Sequence, residues 1–491
     1  MKSIPFRNSY SGLGRDFYQS IQPTPVQNPA LIIFNQVLGD ELGLAETALS
    51  SSAGAAVFAG NQVPEGAEPL AMAYSGHQFG YFNPHLGDGR ALLLGQIMSP
   101  GGRSFDIHMK GTGQTAFSRN GDGRAALGPV LREYLVSEAM ARLGVPTTRA
   151  LAAVTTGEEV AREQLLPGGI ITRVAASFVR IGTFEYFLAR GDRAALARLA
   201  DYVIENQYPD LRLAENPYLA LLEAVIEGQA ALIAQWMQLG FIHGVMNTDN
   251  MSIACETIDY GPCAFMDHYA HDRVYSSIDH HGRYAYNNQP NIGLWNLSRF
   301  AECLLHLLDE DAATAVEIAK DRLEGFIKSY QQHWLTGMRA KLGLKSGLQQ
   351  DRALIEELFA IMAGSNADFT LTFYRLSMLD MDASNDDDIV ALFDHAQPFS
   401  QWVDKWRQRL RQESSDDGER KAGMRAVNPV YIPRNHLIEA AIRAAEDHGD
   451  FSVFHALHDV LQQPHDVQPG KQVYMQPPQP HEIVHKTFCG T

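Results

Sequence analysis

Gly240-Phe241-Ile242-His243-Gly244-Val245-Met246-Asn247-Thr248-Asp249-Asn250-Met251-Ser252-Ile253, followed by Thr257-Ile258-Asp259-Tyr260-Gly261, is the stretch on which the fold reading turns. It comes after an Ala- and Leu-rich run, Tyr218 to Leu239, whose periodicity predicts a helix. Asp249, Asn250 and Asp259 set oxygen donors around one short hairpin. Mg²⁺ prefers such hard oxygen donors, completed by nucleotide phosphates. His243 opens the loop and is expected to pack beneath it. Cys255 and Cys263 flank the hairpin and are expected in the core.

Upstream lies a second constellation. Leu86-Gly87-Asp88-Gly89-Arg90 precedes the apolar run Ala91 to Ile97. Glycines let backbone N–H groups approach an anion, so the segment reads as a phosphate cradle or simply as a turn entering a strand. Ser104-Phe105-Asp106-Ile107-His108-Met109-Lys110 alternates, with Phe105, Ile107 and Met109 on one face and Asp106, His108 and Lys110 on the other. A half-buried strand is expected, with Lys110 at its end pointing away from the core. Two further glycine turns follow, Gly111-Thr112-Gly113-Gln114-Thr115 and Asn120-Gly121-Asp122-Gly123-Arg124. Pro129 to Leu143 then predicts a helix, with Pro129 at its first position and Gly144 and Pro146 as stops. Leu131, Leu135, Ala139 and Leu143 form its buried stripe. Glu133 sits about 200° from Leu131 and points off that stripe. A strand lysine and a glutamate of the next helix can pair, fixing the ammonium for phosphate oxygens. Complementing the helix dipole is the other role for Glu133. Arg173 and Arg180 lie in apolar surroundings and call for fixed anionic partners, carboxylate or ligand phosphate.

The rest of the chain sets the frame. Ala71 to about Ser177 reads as strands with one helix, and Thr183 to Leu461 as mostly helical. Residues 1–50 look like an irregular wrap, and the proline-rich last thirty like an extended surface tail. This α+β pattern is divided at 1–178, a β-rich lobe with its N-terminal extension and the expected nucleotide cradle, and 179–491, a larger helical lobe with the expected catalytic and metal-binding loops and the tail. With 40 Lys+Arg against 57 Asp+Glu, the net charge of −17 argues against general nucleic-acid or anionic-membrane binding. It leaves room for a small basic nucleotide pocket. No run approaches 18 uninterrupted apolar residues, so no membrane span is expected. The N-terminus has no apolar signal region, and four scattered cysteines do not make a disulfide scaffold. A cytoplasmic setting follows as the expectation, with a monomer as the working assignment. The histidines around Asp267-His268, His271-Asp272 and Asp279-His280-His281 read as a polar loop, with zinc as the alternative.

The ordered set Lys110, Glu133, Asn250, Asp259-Tyr260-Gly261 matches the protein-kinase signature in outline, with Tyr260 in place of phenylalanine. Val245 stands five residues before Asn250, where the kinase catalytic Asp belongs, and Asp249 is the nearby substitute. Beyond this, Asn83-Pro84-His85-Leu86-Gly87-Asp88-Gly89-Arg90, Ser118-Arg119-Asn120-Gly121-Asp122-Gly123-Arg124-Ala125, the His243–Asn250 block, Trp295-Asn296-Leu297 and Asn428-Pro429 with Arg434-Asn435 are long and specific. On these blocks the whole chain resembles the selenoprotein O family of kinase-like protein adenylyltransferases, once read as pseudokinases.

The resemblance implies a two-lobed kinase-like fold. It implies AMP transfer from ATP to Ser, Thr or Tyr hydroxyls of proteins, with ATP flipped relative to kinases and pyrophosphate leaving. UMP transfer from UTP with Mn²⁺ is a further implied possibility. Matched by position, Gly87, Gly89, Arg90, Lys110, Asp122, Gly123, Arg173, Arg180 and Asp259 bind the nucleotide, and Glu133 orients Lys110. Asn250 and Asp259 hold Mg²⁺ or Mn²⁺, and Asp249 is the catalytic proton acceptor. Cys489 takes the place of the family's terminal Cys or selenocysteine. No cysteine follows Asp272 in Arg273-Val274-Tyr275-Ser276-Ser277, where the tail disulfide of some relatives has its partner, which leaves Cys489 either a free thiol or paired elsewhere. A silent nucleotide-binding scaffold, consistent with Val245, and a phosphotransferase are the competing readings.

Overall fold

The computed structural model describes residues 4–44, 48–414 and 416–487; Cys489 lies outside them. Its strands are β1 Phe6–Arg7, β2 Tyr18–Ser20, β3 Ala30–Phe34, β4 Leu70–Met72, β5 Gly76–Gln78, β6 Tyr81–Asn83 and β7 Ala91–Met98. They continue as β8 Ser104–Lys110, β9 Ala125–Ala126, β10 Arg149–Ala161, β11 Leu165–Ala175, β12 Phe241–Ile242 and β13 Ala264–Phe265. One antiparallel sheet has the order β2-β4-β7-β8-β11-β10-β3, with β1 on β7 and β9 on β11. In β8, Lys110 stands opposite Ala91 of β7 and Ile171 of β11, and His108 opposite Arg173. Residues directly opposite share a face, so Asp106, His108, Lys110 and Arg173 line the same side.

The alternation in β8 holds, but the strand is buried on both faces. Ile107 and Met109 pack with Leu94, Ile97, Leu151, Val154, Ile170 and Val174 against Ile4, Val26, Leu38, Leu42, Leu44, Val57 and Phe58. The N-terminal wrap therefore supplies the second core layer, which corrects the half-buried reading. The helix on the opposite face runs Leu127–Arg142, two residues earlier than Pro129. It is buried nearly all round, because the helices Asn435–His448 and Ser452–Leu461 cover the side away from the sheet. Its polar residues are buried as partners: Glu138 binds Arg149 at 2.8 Å and Asn35 at 2.7 Å.

From Ile181 to Leu461 the chain is mostly helical, interrupted over 240–288 by loops with β12 and β13. Asn216 caps the helix Pro217–Leu239 by accepting from the Tyr218 and Leu219 amides, and Gly240, at φ 69°, ends it. This helix is long and apolar enough to cross a bilayer by length and composition, which uninterrupted runs did not reveal. Here it is a core element: Leu221, Leu222, Val225, Ile233 and Trp236 are buried, and the helix packs against Gln289–Leu308 and Ala312–Lys341. The loop carrying Asp249 and Asn250 leaves its end between β12 and β13. The tail does not simply lie on the surface. Thr487 is buried, donating its amide to the Tyr275 carbonyl at 2.9 Å and its hydroxyl to the Pro262 carbonyl at 2.6 Å.

Candidate functional site

Charge pairing organises the space between the sheet and the Asp249 loop. Lys110 Nζ donates to Glu133 Oε2 at 2.7 Å, the strand-to-helix pair expected from sequence. Arg173 Nη1 binds both Glu133 Oε1 at 3.1 Å and Asp259 Oδ1 at 2.6 Å, while its Nη2 meets His108 Nδ1 at 3.0 Å. The open question about its anion is thus answered by carboxylates. Arg180 Nη1 donates to Asp259 Oδ2 and to the Asp249 carbonyl, each at 3.0 Å, and its guanidinium lies over the Tyr74 ring at 4.6 Å. Lys110 also reaches Asp259 Oδ1 at 3.4 Å. Asp259 is therefore the common counter-ion of three cations. Burial works to raise its pKa, but Arg180, Arg173 and Lys110 hold it well below the usual carboxylate range. Asp259 adopts φ 62°, a left-handed conformation uncommon for a non-glycine residue. Glu133 is likewise held low by Lys110 and Arg173 against burial.

On the opposite side, His243 is buried with Nε2 at 2.9 Å from the Ile258 carbonyl, packing under the loop as expected. Asn296, from the Trp295-Asn296-Leu297 block, donates to the Met246 carbonyl at 2.9 Å. Asn250 Nδ2 donates to the Val245 carbonyl at 3.0 Å, which leaves its amide oxygen as an acceptor. Asp249 is buried, and burial pushes its carboxyl up to about 6 against the pull of Arg180. Its Oδ2 accepts from Gln78 Nε2 at 3.1 Å, and its Oδ1 has no hydrogen-bond partner among the described residues. A divalent hard cation fits this donor set. Asn250 offers a free amide oxygen, and Asp259 Oδ2 keeps a lone pair beyond Arg180. Among the described residues no cluster of three or more His, Cys, Asp or Glu is set to hold a metal. At the histidine patch, Asp267 pairs with the buried Arg434.

These groups open onto a cleft of about 670 Å³ lined by Gly87, Gly89, Arg90, Lys110, Asp122, Gly123, Arg173, Arg180, Asp249, Asn250 and Asp259. All the sequence-predicted site residues meet there except Glu133, which holds Lys110 and Arg173 from behind. The glycines are sterically required. A Cβ on Gly89 would stand 2.7 Å from the Phe117 carbonyl oxygen, and one on Gly123, at φ +66°, 2.0 Å from the Gly113 carbonyl oxygen. Asp122 lines the cleft and pairs with Arg162 at 2.9 Å. Arg90 and Arg119 line the cleft without an ion-pair partner among the described residues, so the wall carries unneutralised positive charge. Sequence reading missed Tyr74, Gln78 and Arg162. Only Arg162 carried any signal, as a cation flanking a strand turn.

A family model described as protein adenylyltransferase SelO matches residues 1–462. The chain is 57% identical over 491 residues to "Protein nucleotidyltransferase YdiU" of Rhizobium meliloti (strain 1021), covering 100% of both chains. It is 56% identical over 489 residues to the protein of the same name from Rhizobium etli (strain CIAT 652), covering 100% of this chain and 98% of that one. It is 57% identical over 488 residues to that of Rhodopseudomonas palustris (strain BisB5), covering 99% of each.

Proposed function

The chain belongs to the SelO family of protein adenylyltransferases and is a protein nucleotidyltransferase, and we propose that it moves AMP from ATP onto Ser, Thr or Tyr hydroxyls of proteins. In this reading the sheet-bearing and helical parts are the two lobes of a kinase-like fold. ATP lies flipped between them, its β- and γ-phosphates toward Gly87, Gly89, Arg90, Lys110, Arg173 and Arg180 and its α-phosphate toward Asp249. Asp122 and Gly123 shape the glycine wall. The observation that carries the reading is the cationic wall facing Asp249, with Arg90 and Arg119 unpaired. A polyanion is the natural complement of such a wall.

The acceptor hydroxyl oxygen attacks the α-phosphorus, the bond from that phosphorus to the bridging oxygen breaks, and pyrophosphate leaves. The hydroxyl proton passes to Asp249. Lys110, Arg173 and Arg180 stabilise the leaving pyrophosphate, and Glu133 keeps Lys110 in place. Asn250 and Asp259 would hold Mg²⁺ or Mn²⁺, which when bound neutralises charge on the phosphates. UTP with Mn²⁺ is proposed as an alternative donor, and a cytoplasmic monomer as the working form.

Purified protein incubated with α-³²P-ATP or γ-³²P-ATP, with Mg²⁺ or Mn²⁺, tests this by denaturing gel and intact mass. Label from the α position alone, with a mass gain of one AMP, is expected. Label from γ alone would make the chain a phosphotransferase. Nucleotide binding without label, in the presence of acceptor proteins, would make it a silent scaffold.

A further inference from the structure

We propose that Gln78 positions the Asp249 carboxylate and that Oδ2 is the oxygen that accepts the proton. The proposal rests on the reading of Asp249 as proton acceptor. Gln78 ends β5, in the small β5–β6 hairpin outside the main sheet. That hairpin is fastened along the Asp249 loop. The His77 amide donates to Thr248 Oγ1 at 2.7 Å, and the Phe79 amide donates to Tyr284 Oη at 3.0 Å and Asn247 Oδ1 at 3.2 Å. Thr248 Oγ1 in turn donates to the buried Glu185 carboxylate, whose other oxygen meets His77 Nδ1 at 2.5 Å. The backbone that carries Gln78 is thus held at several points.

A carboxylate turns easily about its last torsion and can present either oxygen. Here the two oxygens are distinguished by the same strand. Oδ1 is shut against Gly76, where an ideal Cβ would stand only 2.9 Å from it, and it is buried without a partner among the described residues. Oδ2 accepts from Gln78 Nε2 at 3.1 Å. An ionised carboxylate only accepts, so the amide must present its nitrogen. Each carboxylate oxygen has two acceptor sites, so one remains on Oδ2 for an incoming hydroxyl. Gln78 and Asp249 both line the cleft, so that site is reachable from it. Gln78 touches the base and not the reacting atoms, which makes it a positioning residue. Misplacing a reacting group by about 1 Å costs on the order of 10²-fold in rate.

The test is self-labelling of the full chain with α-³²P-ATP, with initial rates taken over a range of ATP concentrations. Parent, Gln78→Met, Gly76→Ala, Asp249→Asn and the Gln78→Met/Asp249→Asn double variant are compared, with melting temperatures and nucleotide affinities as folding controls. Gln78→Met removes the donor at similar volume. It should lower the maximal rate by about 10- to 100-fold with half-saturation by ATP unchanged. Gly76→Ala should lower it by pushing Oδ1 from the other side. Asp249→Asn should lose more, and adding Gln78→Met to it should change nothing further, since the amide then has no carboxylate to orient. Four results overturn the inference while leaving the function reading intact: a parent-like Gln78→Met rate beside an inactive Asp249→Asn, a loss confined to ATP half-saturation, a loss explained by lowered melting temperature, or additive losses in the double variant. Parent-like labelling by Asp249→Asn overturns the function reading itself and this inference with it.

Discussion

Replacing Asp259 by Asn exposes the electrostatics of the cleft directly. The carboxylate takes Arg173 at 2.6 Å and Lys110 at 3.4 Å on Oδ1, and Arg180 at 3.0 Å on Oδ2. Asparagine keeps the shape and removes the charge. Glu133 then remains as the close carboxylate of Lys110 and Arg173, and Arg180 keeps a carboxylate only at 3.9 Å, that of Asp88. Removing one partner of a buried ion pair costs about 3–5 kcal/mol, and the Arg173 and Arg180 side chains are 2% and 4% exposed. An unfolding entropy of about 2.1 cal/mol/K per residue gives about 1 kcal/mol/K over 491 residues. For a cooperative transition the melting temperature therefore falls by about 3–5 °C. The uncovered cations also bind anions better, so pyrophosphate with a chelator present should raise the melting temperature of Asp259→Asn more than that of the parent. Label from α-³²P-ATP should be lost. Melting scans with and without pyrophosphate, run beside the labelling assay, check both effects. Parent-like melting with no extra gain from pyrophosphate would refute the charge-hub reasoning, and parent-like labelling would remove the metal assignment.

Two further outcomes follow from burial and sterics. Lys341 is 4% exposed, with its ammonium over the Phe373 ring at 4.4 Å, and burial pushes its pKa down to about 7. Its folded pKa lies below its unfolded one, so the unfolded chain binds the extra proton between about 7 and 10, and stability rises with pH there by up to about 1.4 kcal/mol per unit. Lys341→Met should lose that slope in urea melts taken across this range, and parallel curves for the two proteins would sink the argument. Gly123→Ala should raise the ATP concentration for half-maximal labelling at least tenfold, since its Cβ would meet the Gly113 carbonyl oxygen at 2.0 Å and force the glycine loops apart. Gly102→Ala, at φ +79° with nothing within 4 Å of its Cβ, carries similar backbone strain without the clash and should label normally.

Local pattern was enough to place much of the site. The period-2 alternation of Ser104 to Lys110 and the helical repeat after Pro129 are properties of neighbouring residues, and the Lys110–Glu133 pair followed from them. The long motif blocks marked the glycine loops and the Asp249–Asn250 and Asp259 segments, because such spacings are carried in the chain itself. Alternation could not show that the hydrophobic face of β8 is roofed by the first sixty residues, or that the Leu127–Arg142 helix is enclosed by two helices from near the C-terminus. Both depend on where remote segments return. The same limit applies to charge. Arg173 and Arg180 visibly needed anions, but the choice of Asp259, 86 and 79 residues away, was made by topology.

Gln78 shows that limit most clearly. Its three-residue strand, Gly76-His77-Gln78, has no hydrophobic period to announce it, and its partner Asp249 lies 171 residues further on. The sequence by itself determined which chemical groups are present and which local elements carry them, because short-range sterics and periodicity act along the chain. Only the tertiary structure decided that three cations share one carboxylate and that one strand distinguishes the two oxygens of Asp249, because those are distances between segments that meet only after folding.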